Sequence, residues 1–173
     1  MRYFFLFAGL CSVLILNGCS PTFNWRDVRP DKAPLVALFP CKPDQGTRVV
    51  SLGAKDVTMT MLGCDAGGST FTLAFIDTQD AASTGTVLDQ WRSATLSKLR
   101  AQSTSKLPFL IKGASAVPPS VQVAARGTRP DGAVVVVHAV WFASGAQLFQ
   151  AAVYAEAANP AVTESYFSGL RLD

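Results

Sequence analysis

The sequence predicts an α+β domain: one antiparallel β-sheet of about six to seven strands with two helices packed on it. Three observations lead there. Period-two alternation in Val57 to Cys64 and Thr70 to Ile76, joined by a Gly-rich connection, is the pattern of an antiparallel meander. Between Ala81 and Ser103 the apolar spacing changes to mostly three, four or five, which marks one helix face. A second block of strands and a short closing helix follow.

The elements are justified in order. Leu35 to Phe39 is an apolar run stopped by Pro40 and reads as a strand. Pro40 to Gly46 is a turn-rich loop, Arg48 to Leu52 a second strand, and Gly53 to Asp56 a turn. In the next strand Val57, Met59 and Met61 share one face, and Thr58 and Thr60 the other. Asp65 to Ser69 is a hairpin connection, after which Phe71, Leu73 and Phe75 point inward. Val87, Leu88, Trp91, Leu96 and Leu99 predict a helix from Gly85 to Ala101, with Thr84 or Thr86 as its N-cap. Asp89 suits the positive end of its dipole, and Lys98 and Arg100 the negative end.

Ser103 to Pro119 reads as a connection, broken by Pro108, Gly113, Pro118 and Pro119, with a short strand around Phe109, Leu110 and Ile111. Val121 to Gly127 is a strand and Arg129-Pro130-Asp131-Gly132 a tight turn. Ala133 to Phe142 is apolar at nearly every position, so it is a strand covered on both faces, by helices or by a second sheet layer. Ser144-Gly145 turns the chain into Gln147 to Ala155. Asn159 caps the last helix, Pro160 opens it, and Val162, Tyr166, Phe167 and Leu170 form its stripe.

At the start, Arg2 precedes a run from Tyr3 to Leu16 that is apolar except for Gly9 and Ser12. That length suits a secretory h-region and falls short of the roughly 20 residues that span a bilayer. Leu16-Asn17-Gly18-Cys19 then resembles the lipobox of bacterial lipoproteins, with Leu16, Gly18 and Cys19 matching and Asn17 standing where Ala or Ser is usual. The resemblance implies cleavage before Cys19, a diacylglyceryl thioether on its sulfur and an added N-acyl chain such as palmitate. Several chains on one residue make a firm anchor, since each buried CH₂ contributes about 0.8 kcal/mol. An ordinary secretory signal is the alternative. Ser20, in place of Asp, points to the outer membrane facing the periplasm. The expected organisation is a signal peptide over 1–18, a lipidated tether over 19–34 interrupted by Pro21, Pro30 and Pro34, and a single domain over 35–173. Phe23 and Trp25 dock on the domain or lie at the headgroup surface.

Cys11 belongs to that leader and Cys19 to the lipobox, leaving Cys41 and Cys64 as an even pair in an oxidising compartment. A disulfide between them closes a loop of about 24 residues and stabilises by roughly 3 kcal/mol on the chain-entropy model. The alternative, a metal-binding or redox thiol pair, lacks C-x-x-C spacing, and His138 is the single histidine.

No other residue set announces chemistry. His138 falls in the most apolar strand and reads as a core or half-buried imidazole bonded to a backbone group. No nucleophile elbow, zinc-protease helix, P-loop or dinucleotide fingerprint is present. Asp77 and Asp80 read as capping residues of a solvated turn, and Gly67-Gly68 precedes a strand, which removes a phosphate role. Met59, Met61, Phe71 and Phe75 read as sheet core. No catalytic residue, cofactor or metal ligand is therefore assigned. With 15 Lys and Arg against 12 Asp and Glu and no basic cluster, the chain carries no nucleic-acid footprint.

The closing unit, a Val/Trp/Phe-rich hairpin followed by Ala161-Val162-Thr163-Glu164-Ser165-Tyr166-Phe167-Ser168-Gly169-Leu170-Arg171-Leu172, resembles the ending of Mog1/PsbP-like domains. In them a sheet hairpin leads to a short helix with an aromatic-Ser-hydrophobic-Arg-Leu ending; the early Phe39-Pro40 is similar too. The resemblance spans 35–173 by element order and implies a sandwich of sheet and helices. That family has photosystem-associated and transport-factor-binding members and bacterial lipoproteins, with no shared catalytic machinery. The expected function is a non-enzymatic, lipid-anchored envelope protein that binds another envelope protein or supports an assembly. The alternative is a periplasmic carrier of an apolar small ligand or peptide, and an apolar cleft under the Gly85–Ala101 helix is what favours it.

Overall fold

The computed structural model describes residues 21–52, 55–129 and 131–172. The expected leader over 1–18 and Cys19 lie outside the described residues, as do Gly53 and Ala54 of the expected turn, Pro130 and Asp173. The described residues form ten strands: β1 (Arg26–Val28), β2 (Leu35–Phe39), β3 (Asp44–Leu52), β4 (Lys55–Ala66), β5 (Ser69–Asp77), β6 (Gln102–Pro108), β7 (Val121–Thr128), β8 (Val134–Ser144), β9 (Gln147–Ala155) and β10 (Arg171–Leu172). Helix α1 (Thr84–Lys98) lies between β5 and β6, and helix α2 (Pro160–Ser168) between β9 and β10. The class is α+β, as expected, with most of the mass in sheet.

The main sheet has seven antiparallel strands in the order β3-β4-β5-β9-β8-β7-β6. Consecutive strands pair as hairpins, and the one long-range joint is β5 against β9, with Phe71 opposite Val153 and Phe75 opposite Phe149. Because side chains alternate across a strand, each face of this sheet collects its own core. Leu62, Phe71, Leu73, Phe142, Phe149 and Val153 project to one face, where β2 and α2 cover them with Phe39, Tyr166 and Phe167. Met59, Ala74, Ile76, Ala139, Trp141 and Ala152 project to the other, where α1 covers them with Leu88 and Trp91. The double cover predicted from the apolar β8 is thus met by a helix on one side, and by a helix plus the small sheet β1-β2-β10 on the other. Tyr166 is fully buried and donates its hydroxyl to the Thr72 carbonyl at 2.8 Å, which ties α2 to the middle of β5. Burial holds its phenol well above the ordinary tyrosine value.

Several boundaries differ from those read in the sequence. The stretch taken as an irregular tether carries β1, because Arg26–Val28 pairs with Ala37–Phe39 of β2 between the prolines. Phe23 and Trp25 dock on the domain; Trp25 meets the Phe71 ring edge-on, and a Cβ at Gly67 would run into Phe23. Asp44–Gly46, read as loop, already pairs with β4. The connection read from Ser103 onward begins instead as the edge strand β6, Gln102–Pro108, while Phe109–Ile111 is not a strand. An edge strand needs no buried alternation, and Gln102–Pro108 offered none to read.

The predicted helix 85–101 is found three residues shorter at its end. Neither Thr84 nor Thr86 is its N-cap. Asp80 instead caps a 3₁₀ turn over Ala81–Ser83 that runs into the helix, accepting from the Ala82 amide at 2.9 Å. Asp89 is engaged by Arg92 rather than by the helix end. The closing helix matches in detail, since Asn159 accepts from the Val162 amide with Pro160 in the first turn.

Cys41 and Cys64 form a disulfide with Cα atoms 6.1 Å apart. It fastens the loop after β2 to β4 and so links the small sheet to the large one. Replacing both cysteines by alanine is expected to remove about 3 kcal/mol of stability by the loop-closure argument. Urea unfolding of the protein with and without reductant, beside the double variant, measures it; equal midpoints would reject the structural role.

Candidate functional site

A cleft of about 540 Å³ opens between α1 and the β3-β4-β5-β9 half of the sheet. It arises from a mismatch of side-chain sizes. On this face β5 presents Thr70 and Thr72, and α1 faces them with Ala94 and Thr95, so short side chains meet short ones and the space stays unfilled. Towards the middle of the sheet the gap closes, where the buried Trp91 and Trp141 take up the volume. The C-terminal end of α1 is held down by a close backbone approach. Thr128 donates its amide to the Leu99 carbonyl at 2.7 Å, and a Cβ on Gly127 would collide with that same carbonyl. This contact places Lys98 and Leu99 on the cleft wall.

The lining is apolar at the sides, with Val50, Leu52, Met59, Met61, Trp91 and Leu99. Met59 and Met61, expected as plain core, therefore serve also as wall. The polar lining is Arg48 and Ser51 from β3, Thr70 and Thr72 from β5, Gln150 and Tyr154 from β9, Thr95 and Lys98 from α1, and Arg129 after β7. Thr72 and Thr95 spend their hydroxyl protons on the Ala152 and Trp91 carbonyls. Gln150 is 8% exposed and its Nε2 has no hydrogen-bond partner among the described residues; the indole Nε1 of Trp141, its register partner on β8, has none among them either. Two buried polar atoms without partners, side by side under one helix, are unusual in a folded protein. Burial also raises the Tyr154 phenol above its ordinary value.

The residues singled out from sequence are scattered. Cys41 and Cys64 are joined on the α2 side of the sheet, away from the cleft. Asp77 and Asp80 accept backbone amides in the turn before α1, as capping residues do. Gly67 and Gly68 form the two-residue β4–β5 turn with φ of 55° and 72°, which suits a hairpin and no phosphate. Phe71 and Phe75 are core of the α2 face.

His138 projects to the α2 side, where it lines a second groove of about 510 Å³ with Phe109, Leu110, Glu164 and Phe167. The expected bond from its ring to a backbone group is absent among the described residues, because the ring faces this groove instead of the packed core. Partial burial alone lowers its pKa. Among the described residues no group of His, Cys, Asp and Glu has metal-site geometry.

The sequence reading missed the cleft residues. One signal was available: Gln150 is a lone amide in the otherwise apolar Gln147–Ala155 strand. The cations carried none, since Arg48, Lys98 and Arg129 are far apart in the chain and meet only through the fold.

No family model matches the chain, and no curated protein matches its sequence. Among solved structures it is similar to the crystal structure of a Pseudomonas aeruginosa protein of unknown function, with 12% identity and a TM-score of 0.40, covering 69% of this chain and 88% of that one.

Two outcomes are expected. Gln150→Leu removes an unpaired buried amide and raises stability by about 1 kcal/mol, read as a higher urea midpoint; a lower midpoint would mean the amide has a partner. Partial burial lowers the His138 pKa below the ordinary 6.5, so the fold favours the neutral imidazole. Its contribution is therefore present above that value and is lost as pH falls through the folded pKa. Between about pH 7 and pH 5 the thermal midpoint of His138→Gln should fall less than that of the parent protein.

Proposed function

We propose that this is a non-enzymatic, lipid-anchored protein of the bacterial envelope whose domain carries an apolar small molecule in the cleft under α1. The single observation that carries the reading is the cleft itself, about 540 Å³, whose wall surface is mostly apolar with polar side chains set among it. That size falls within the roughly 300–1,000 Å³ typical of small-molecule sites, and a mainly apolar wall with a few polar groups is their usual lining. The opposite face of the sheet is filled by aromatic side chains, among them Phe142 and Phe149 stacked with ring centroids 4.9 Å apart. Anchoring through Cys19 at the outer membrane, with the Mog1/PsbP-like sandwich as scaffold, remains part of the proposal on the strength of the residues that prompted it.

The other reading, a module that binds an envelope protein, is favoured by one feature. Leu110 is 96% exposed at the rim of the groove that also holds Phe109 and Phe167. A crosslinker placed at residue 110 would capture such a partner.

The carrier reading is tested with an uncharged environment-sensitive dye such as Nile red. The protein should bind it at one site with a blue-shifted emission. Ala94→Trp, which fills the cleft from α1, should weaken binding by at least about tenfold, roughly 1.4 kcal/mol, while the protein stays folded. A folded protein that leaves the dye free, or binding indifferent to Ala94→Trp, rejects the carrier reading.

A further inference from the structure

The cleft carries charge of one sign. Arg48 from β3, Lys98 from the last turn of α1 and Arg129 just after β7 all contribute to its lining, and among the described residues no carboxylate does. All three are exposed. Among the described residues none of the three is ion-paired. Two acids flank the lining by strand register: Asp56, opposite Ser51, accepts the Ser51 hydroxyl at 2.6 Å, and Asp65, opposite Thr70, accepts the Thr70 hydroxyl at 2.6 Å. Three cations converging from three separate elements on one apolar cleft make a mouth of positive potential over a low-dielectric wall, which strengthens attraction for an anion.

An independent observation lies on the floor. The Gln150 amide is nine-tenths buried and lines the cleft, with its Nε2 unpartnered among the described residues. A hydrocarbon beside it would leave this buried donor unsatisfied, whereas an oxygen acceptor would satisfy it. Both features select the same chemistry.

We propose that the occupant of the cleft is a single-chain anionic amphiphile. Its acidic head lies among Arg48, Lys98 and Arg129, its chain runs over Met59, Met61 and Trp91, and an oxygen meets the Gln150 amide. The inference rests on the carrier reading and adds the sign and placement of the ligand's charge. A carboxylate and a phosphate head share this chemistry.

The test measures displacement of Nile red from the protein by decanoate, decyl phosphate, decanol and decyltrimethylammonium, all below micelle formation. At low salt the two anions should compete at least about tenfold better than decanol, with the cation weakest. The better of the two anions identifies a carboxylate or a phosphate source. The advantage should shrink as salt screens the mouth. Arg48→Gln combined with Lys98→Gln and Arg129→Gln should abolish the anion preference while decanol still competes. Gln150→Leu should weaken both anions more than it weakens Nile red. Equal competition by decanol and decanoate, or an anion preference untouched by the triple variant, overturns the anionic assignment and leaves the carrier reading standing. Failure of Nile red itself to bind overturns the carrier reading and this inference with it.

Discussion

Everything in this domain depends on the pairing of β5 with β9. Every other neighbour in the large sheet is a hairpin partner close in sequence, but this joint brings together residues about 80 positions apart and fuses two separate meanders. The fused strands are apolar on both sides, with Phe71, Leu73, Phe149 and Val153 turned one way and Ala74, Ile76, Leu148 and Ala152 the other. A sheet built this way cannot leave either surface to water. The hydrophobic effect then recruits α1 to one side, and α2 with the small sheet to the other.

The two sides are finished differently. On the α2 side the side chains are large and aromatic, and Phe39, Phe71 and Tyr166 meet edge-on with ring centroids 5.4 Å apart. Around those rings that side is packed as an ordinary interior, stapled by the disulfide, and it opens at the groove beside His138. On the α1 side the sheet presents alanines and threonines, and the helix answers with small residues of its own over half its length. The cleft follows from that choice, and so does the stranded amide of Gln150. A chain selected only for stability would have an apolar residue there.

How much of this was legible in the sequence varies by element for physical reasons. Val57 to Cys64 was readable because one-sided burial imposes alternation, Gln147 to Ala155 because a mostly apolar run follows the Ser144-Gly145 turn, and the Asn159-Pro160 helix start because caps impose residue type. The edge strand Gln102–Pro108 was not, since its outward face is free to be polar and its partner supplies the pairing. β1 was hidden for the same reason and by the prolines around it. The disulfide could be read because only two cysteines remained for it. The cleft could not: its cations come from β3, α1 and the β7–β8 turn, and only the folded arrangement makes them neighbours.

The docking of Phe23 and Trp25 has a consequence for where the domain can travel. Phe23 is seated over Gly67 and Trp25 against Phe71, on the side of the sheet that α2 covers. With lipid on Cys19, as proposed, the few residues from Cys19 to Phe23 span at most about 14 Å when fully extended. The body would then ride close against the bilayer on a short leash, with its α1 side turned by the fold away from the surface that receives the tether. Cargo would exchange with the periplasm or with a passing partner more readily than with the leaflet beneath.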